Sequence, residues 1–219
     1  VSLGQRLAEA DAGGLGCAAS EDAPAYPYRG VMLDVARHFF PVATVKRVID
    51  LAALLRLNVF HWHLSDDQGW RLESRAFPRL HEIGSRRAGT RGDGRPHGGF
   101  YSRIEIAEVV GHAADRGVMV VPELDVPGHV SAILAAFPHL SCRGRVRPVP
   151  TRFGIFAEVA CPGKVATRAF FAELLDELLE LFPGGYFHLG GDEVPRLRWL
   201  QCADCRAAMT AHGLRDASD

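Results

Sequence analysis

The feature that most constrains this chain is an alternation. From Tyr28 onward, short apolar runs take turns with longer segments whose apolar residues recur every three or four positions. That is the pattern of strand-helix units wound around a parallel sheet. Four units can be read. The first joins the strand RGVMLDVAR to a helix after Pro41 through Val45, Ile49, Ala52 and Leu55. The second strand is NVFHWHLS. A helix over about 103–116 leads through Gly117 into VMVVPELD, whose unbroken apolar run suits a strand covered on both faces. A helix over about 168–182 stops at FPGG, which opens the strand YFHLGG, and a last helix follows Pro195. The Gly- and Arg-rich stretches 84–99 and 141–157 read as solvated loops, and residues 1–23 as a remnant linker or the end of an upstream domain.

Each predicted strand ends in polar residues: Asp34 and Arg37, then His63, Asp66 and Asp67, then Glu123, Asp125 and His129, then Asp192 and Glu193. In parallel strand-helix architecture these ends share one face, the one on which barrels build active sites. In HLGGDEV two glycines let the backbone turn sharply before two adjacent carboxylates. Strand neighbours point to opposite faces, so both acids can serve one ligand only where the strand is ending. Adjacent acids do not straddle a sugar as the usual pair of glycosidase carboxyls does. One acid, with a second carboxylate orienting a nucleophile that belongs to the substrate, fits better. A pair of acids capping the following helix is the plain structural alternative. In PELDVPGH, Pro127 and Gly128 force a turn that can bring His129 back among carboxylates, where it would position one and tune its pKa. In HWHLSDDQGW, His61 and His63 share a face by the period of two, so a metal-dependent hydrolase using His61, His63, Asp66 and His129 is a competing reading. Trp62, on the other face, reads as core.

Composition narrows the partners. A net charge of -1 provides no field to attract nucleic acid or an anionic membrane. Arg86, Arg87, Arg91 and Arg95 stand in a Gly-rich loop and read as solvated. No run approaches the roughly 20 apolar residues of a membrane span, and the first residues lack a basic-then-apolar leader pattern. The expectation is a chain without a membrane partner, with secreted and cytoplasmic locations both open. Of the five cysteines, Cys17 is isolated, and Cys202 and Cys205 form one CADC. A zinc site would need more ligands, so reduced thiols or a loop disulfide between Cys142 and Cys161 is preferred, with no metal expected.

Together RGVMLDVARHFF, LNVFHWHLSDDQGWRLE, VPELDVPGH and FHLGGDEVP resemble glycoside hydrolase family 20, the β-N-acetylhexosaminidases, in order from about Ala23 to the end of the chain. The resemblance implies a (β/α)8 TIM-type barrel of which this chain carries about the first four units. It also implies a retaining, substrate-assisted mechanism on carbohydrate substrates bearing terminal β-linked N-acetylated amino sugars, with no cofactor and no metal. By the family motifs, Glu193 is the general acid, Asp192 holds the substrate acetamide, and Asp66 and His129 support the acid in a relay. Arg29 would grip the outer hydroxyls, Asp125 would support the same network, and His63 would line the substrate site. The family's second half supplies tryptophans that box in the acetamide and a tyrosine for its carbonyl, whereas the tryptophans here are Trp62, Trp70 and Trp199. A half-barrel exposes an edge and an apolar inner face, so the chain is expected to be a fragment, a homodimer that closes a barrel, or a non-catalytic sugar-binding chain.

Overall fold

The computed structural model describes residues 23–217; the expected linker and Cys17 lie outside them. In chain order the elements are β1 (Gly30–Asp34), α1 (Val42–Leu54), β2 (Val59–Asp66), β3 (Gly69–Trp70), α2 (Arg79–Ile83), β4 (Arg86–Arg87), β5 (His97–Gly98), α3 (Arg103–Ala114), β6 (Met119–Leu124), α4 (Ser131–Ala136), α5 (Val165–Leu179), α6 (Leu197–Gln201) and α7 (Ala203–Ala211). β2 pairs in parallel with β1 on one side and β6 on the other. Sequential parallel strands with a helix returning between them are the opening units of a (β/α)8 barrel.

The strand period sorts residues between two faces. Phe60, Trp62 and Leu64 of β2 are fully buried, as are Ile49 of α1 and Ile106 and Val109 of α3. These side chains form one cluster between sheet and helices, together with Leu174 and Leu178 of α5. Each such burial stabilises the fold by roughly 1.5–3 kcal/mol. Trp62 is core, stacked near Phe60 and Tyr101. α1 buries Val45, Ile49 and Ala52 at helical spacing, but Leu55 lies past its end and is exposed. α3 begins at a capping box in which Ser102 and Glu105 satisfy each other's free backbone amides.

The other face carries the polar rows. Register sets Asp34 beside His63 and His63 beside Glu123. The expected fourth strand is reduced to a single bridge, Glu123 to His188, with Leu124 N donating to His188 O at 3.0 Å and His188 N to Pro122 O at 2.9 Å. The reason lies immediately downstream: Gly190 and Gly191 adopt φ of +64° and +102°, which no strand continues. The expected final helix is broken at Cys202 into α6 and α7. Both expected solvated loops carry structure. In 84–99, β4 pairs with β5 and Arg87 is buried, donating to Arg37 O and Gln68 O. Within 141–157, Val149 is buried. Among the described residues no helix is long and apolar enough to cross a membrane.

Candidate active site

The strand ends converge as the alternation requires. At the end of β1, Asp34 accepts the amides of Ala36 and Arg37, a local turn that aims the Arg37 side chain across the sheet. Arg37 Nη2 lies 2.6 Å from Asp66 Oδ2, and its Nη1 lies 3.0 Å from Asp34 Oδ2. Burial works against the guanidinium charge, but Asp66 and Asp34 more than offset it and raise the Arg37 pKa.

His63 is buried and committed at both ring nitrogens: Nδ1 faces Glu123 Oε2 at 2.5 Å and Nε2 faces Asp66 Oδ2 at 3.0 Å. A carboxylate at each nitrogen needs a proton on each. Burial alone would lower its pKa, yet Asp66 and Glu123 push it up to about 9. Glu123 also meets His61 at 2.7 Å and His188 at 3.0 Å, and these histidines hold its carboxyl well below the usual range despite burial. His63 therefore organises the strand ends and leaves no nitrogen for a sugar, which corrects its expected place among the substrate contacts. The metal-hydrolase reading loses His63 for the same reason.

His129 sits beyond β6 with φ of +50°. Its Nδ1 lies 3.1 Å from Asp67 Oδ2 and 3.4 Å from Asp66 Oδ1, and its Nε2 lies 3.4 Å from Glu193 Oε2. Asp66 and then Asp67, against the effect of burial, push its pKa up to about 11. The relay expected from Asp66 thus has two carboxylates behind it, with the shorter contact from Asp67. Asp67 is fixed in turn by the amide and hydroxyl of Ser131, at 3.0 and 2.5 Å.

Asp192 and Glu193 are exposed, and their carboxylates lie within 4.8 Å of one another and of a His129 nitrogen. Sequence neighbours reach one site because the chain has left the strand: Glu193 itself adopts φ of +49°. Gly190 must be glycine, since a Cβ there would stand 1.9 Å from Asp125 Oδ1. Buried Asp125 accepts the Gly191 amide at 3.2 Å and anchors the turn from below. Its role is to hold the loop, not to touch a ligand. Burial, with Asp192 and Asp66 nearby, pushes its pKa up to about 6.

A cleft of about 390 Å³ lies over this group, lined by Arg37, Gln68, His129, Phe153, Gly154, Ile155 and Glu193. Loop 141–157, expected to be solvated surface, supplies three of those walls. Arg29 is absent from the cleft. It precedes β1, at the end of the sheet opposite the site, where its guanidinium donates to Arg56 O at 2.9 Å and Tyr26 O at 2.6 Å. Arg37, Glu123 and Asp67 are the organising residues that motif reading left out; each stood in the polar strand ends. The cysteines also differ from expectation. Cys142 and Cys161 are unpaired thiols, and Cys202 and Cys205 join them in one cluster.

Residues 26–219 match the family described as glycosyl hydrolase family 20, catalytic domain. A β-hexosaminidase of Porphyromonas gingivalis is 45% identical over 90% of this chain and 25% of its own length. One from Akkermansia muciniphila is 42% identical over 94% of this chain and 42% of its own length. The chain thus spans less than half of these relatives. Among solved structures, a β-N-acetylhexosaminidase superposes with a TM-score of 0.87 at 43% identity, over 89% of this chain and 42% of that one. A family 20 exo-β-N-acetylglucosaminidase from Vibrio harveyi, in complex with N-acetylglucosamine, gives 0.79 at 40% identity, over 89% and 32%. The strand order, the converging strand-end acids and these likenesses agree: the chain belongs to glycoside hydrolase family 20, the β-hexosaminidases, and carries part of their TIM-barrel catalytic domain.

Proposed function

We propose that this chain carries the acid/base centre of a retaining β-N-acetylhexosaminidase that removes terminal β-linked N-acetylated amino sugars by substrate-assisted catalysis. The observation that carries the proposal is the meeting of Asp192, Glu193 and His129, each within 4.8 Å of the others at the floor of a cleft. Glu193 donates its proton to the glycosidic oxygen as the bond to the anomeric carbon breaks. Asp192 accepts a hydrogen bond from the substrate acetamide N–H, turning the acetamide oxygen onto that carbon to form the cyclic oxazolinium. Glu193, now a carboxylate, takes a proton from the water that opens the ring and restores the sugar with its configuration retained.

His129 makes the acid reversible. Held protonated by Asp66 and Asp67, its Nε2–H faces Glu193 and stabilises the carboxylate formed in the first step. Arg37 closes the cleft beside Glu193 with planar donors suited to sugar hydroxyls, the part expected of Arg29. The experiment is hydrolysis of a chromogenic β-N-acetylglucosaminide by the full natural protein and its Glu193→Gln variant. Turnover by the first, lost in the second, is expected; equal turnover by both contradicts the reading.

A further inference from the structure

We propose that Cys142, Cys161, Cys202 and Cys205 form a structural Zn2+ site, independent of the acid/base centre. Three segments supply the four sulfurs: the loop after α4 carries Cys142, the turn before α5 carries Cys161, and the start of α7 carries Cys202 and Cys205. All four Sγ atoms lie within 4.8 Å of one another. Cys142 and Cys205 are 3.8 Å apart, Cys161 and Cys202 3.8 Å, and Cys161 and Cys205 3.4 Å. Zinc-sulfur bonds of about 2.3 Å place the corners of a regular tetrahedron about 3.8 Å apart. A disulfide would need about 2.05 Å. The four sulfurs thus have the spacing of a shared ion and not of crosslinked pairs.

The surroundings are built for thiolates. Cys161, Cys202 and Cys205 are buried, and Trp199 packs on them while its Nε1 donates to Ala160 O at 2.9 Å. The amides of Asp204 and Cys205 donate to Cys202 sulfur, and that of Gly163 to Cys205 sulfur. These donors, at the N-terminus of the nine-residue α7, favour negative charge. Gly163 is required here, because a Cβ would come within 2.4 Å of the Cys205 amide nitrogen. A C-x2-C turn opening a helix, facing two cysteines of a separate loop, is a recurrent tetrathiolate arrangement. On binding, Zn2+ takes the place of the thiol protons, which pass to solvent, and no oxidant is needed.

Four thiolates fill the coordination sphere, so the ion would be structural and not catalytic. It would tie the base of loop 141–161, which carries the cleft walls Phe153, Gly154 and Ile155, to the segment that follows Glu193.

The test is zinc analysis of the full natural protein, purified under reducing conditions and without a metal-affinity step. The expected result is about one zinc per chain in wild type and in Glu193→Gln, and none in Cys161→Ser or Cys202→Ser. Zinc release from wild type on titration with a mercurial thiol reagent reads the ligands without mutation, so a variant that fails to fold leaves the proposal testable. Cobalt taken up in place of zinc should show the intense visible bands of a tetrahedral tetrathiolate. A folded protein that binds no zinc when the salt is supplied overturns the proposal, as does recovery of these cysteines as disulfides.

Discussion

Two clusters of titratable side chains in this fold are assembled in opposite ways. The strand-end group of Asp66, Asp67, His129, Asp192 and Glu193 is closed on the sheet side and open on the other, with the Glu193 side chain 52% exposed beneath a cleft. The cysteine group is closed all round by Trp199, Gly163 and the start of α7. Sealed ligands with no vacant direction suit a structural ion, whereas a group with one exposed member suits chemistry on a molecule that comes and goes. The comparison predicts that damage to the open group costs rate and damage to the closed group costs stability.

The largest effect expected is that of Glu193→Gln. Loss of general acid-base catalysis lowers kcat by about 10²–10⁴, while the half-exposed position keeps unfolding stability within about 0.5 kcal/mol. Steady-state rates and thermal melts on one preparation would separate the two. Cys161→Ser should reverse the pattern: stability falls by about 2 kcal/mol or more, a drop in Tm on the order of 5 °C, with activity following only as far as the loop loosens. Gly190→Ala should harm both, by about 1–3 kcal/mol in stability, because its Cβ meets Asp125 at a backbone angle that favours glycine.

A smaller effect concerns pH. The native Asp125 pKa of about 6 exceeds that of an unfolded aspartate, about 3.9. Between these values the native state binds more protons than the unfolded one, so stability falls as pH rises through that window. Asp125→Asn should flatten that fall in denaturant titrations across the range. The histidines extend the trend: the contribution of His63 is complete below about pH 6.5 and is lost as pH rises through about 9. The smallest expected effect is that of Arg29→Ala, within about 0.5 kcal/mol and without change in rate, since its bonds are to exposed backbone carbonyls.

What the sequence disclosed followed from period and order. The first three strands, the apolar face of α1 and the convergence of polar strand ends are local patterns, and they hold in the fold. What it concealed was distance. Arg29 and Arg37 flank the same short strand, and only the rise of about 3.3 Å per residue decides which stands at the site. The cysteine cluster joins positions 41 to 63 residues apart, so its local C-x2-C looked incomplete. The shortened fourth strand reflects two glycines at positive φ, a choice of conformation that composition permits but does not dictate.

The most direct test of the central claim, that Glu193 is the acid supported by His129, is the dependence of its loss on the leaving group. Wild type and Glu193→Gln should be compared on a dinitrophenyl β-N-acetylglucosaminide, whose leaving group needs no proton, and on an alkyl glycoside, whose leaving group does. The account predicts that glycosylation of the dinitrophenyl substrate survives in the variant while cleavage of the alkyl substrate is lost. An equal loss on both substrates would contradict it and move the acid to another residue.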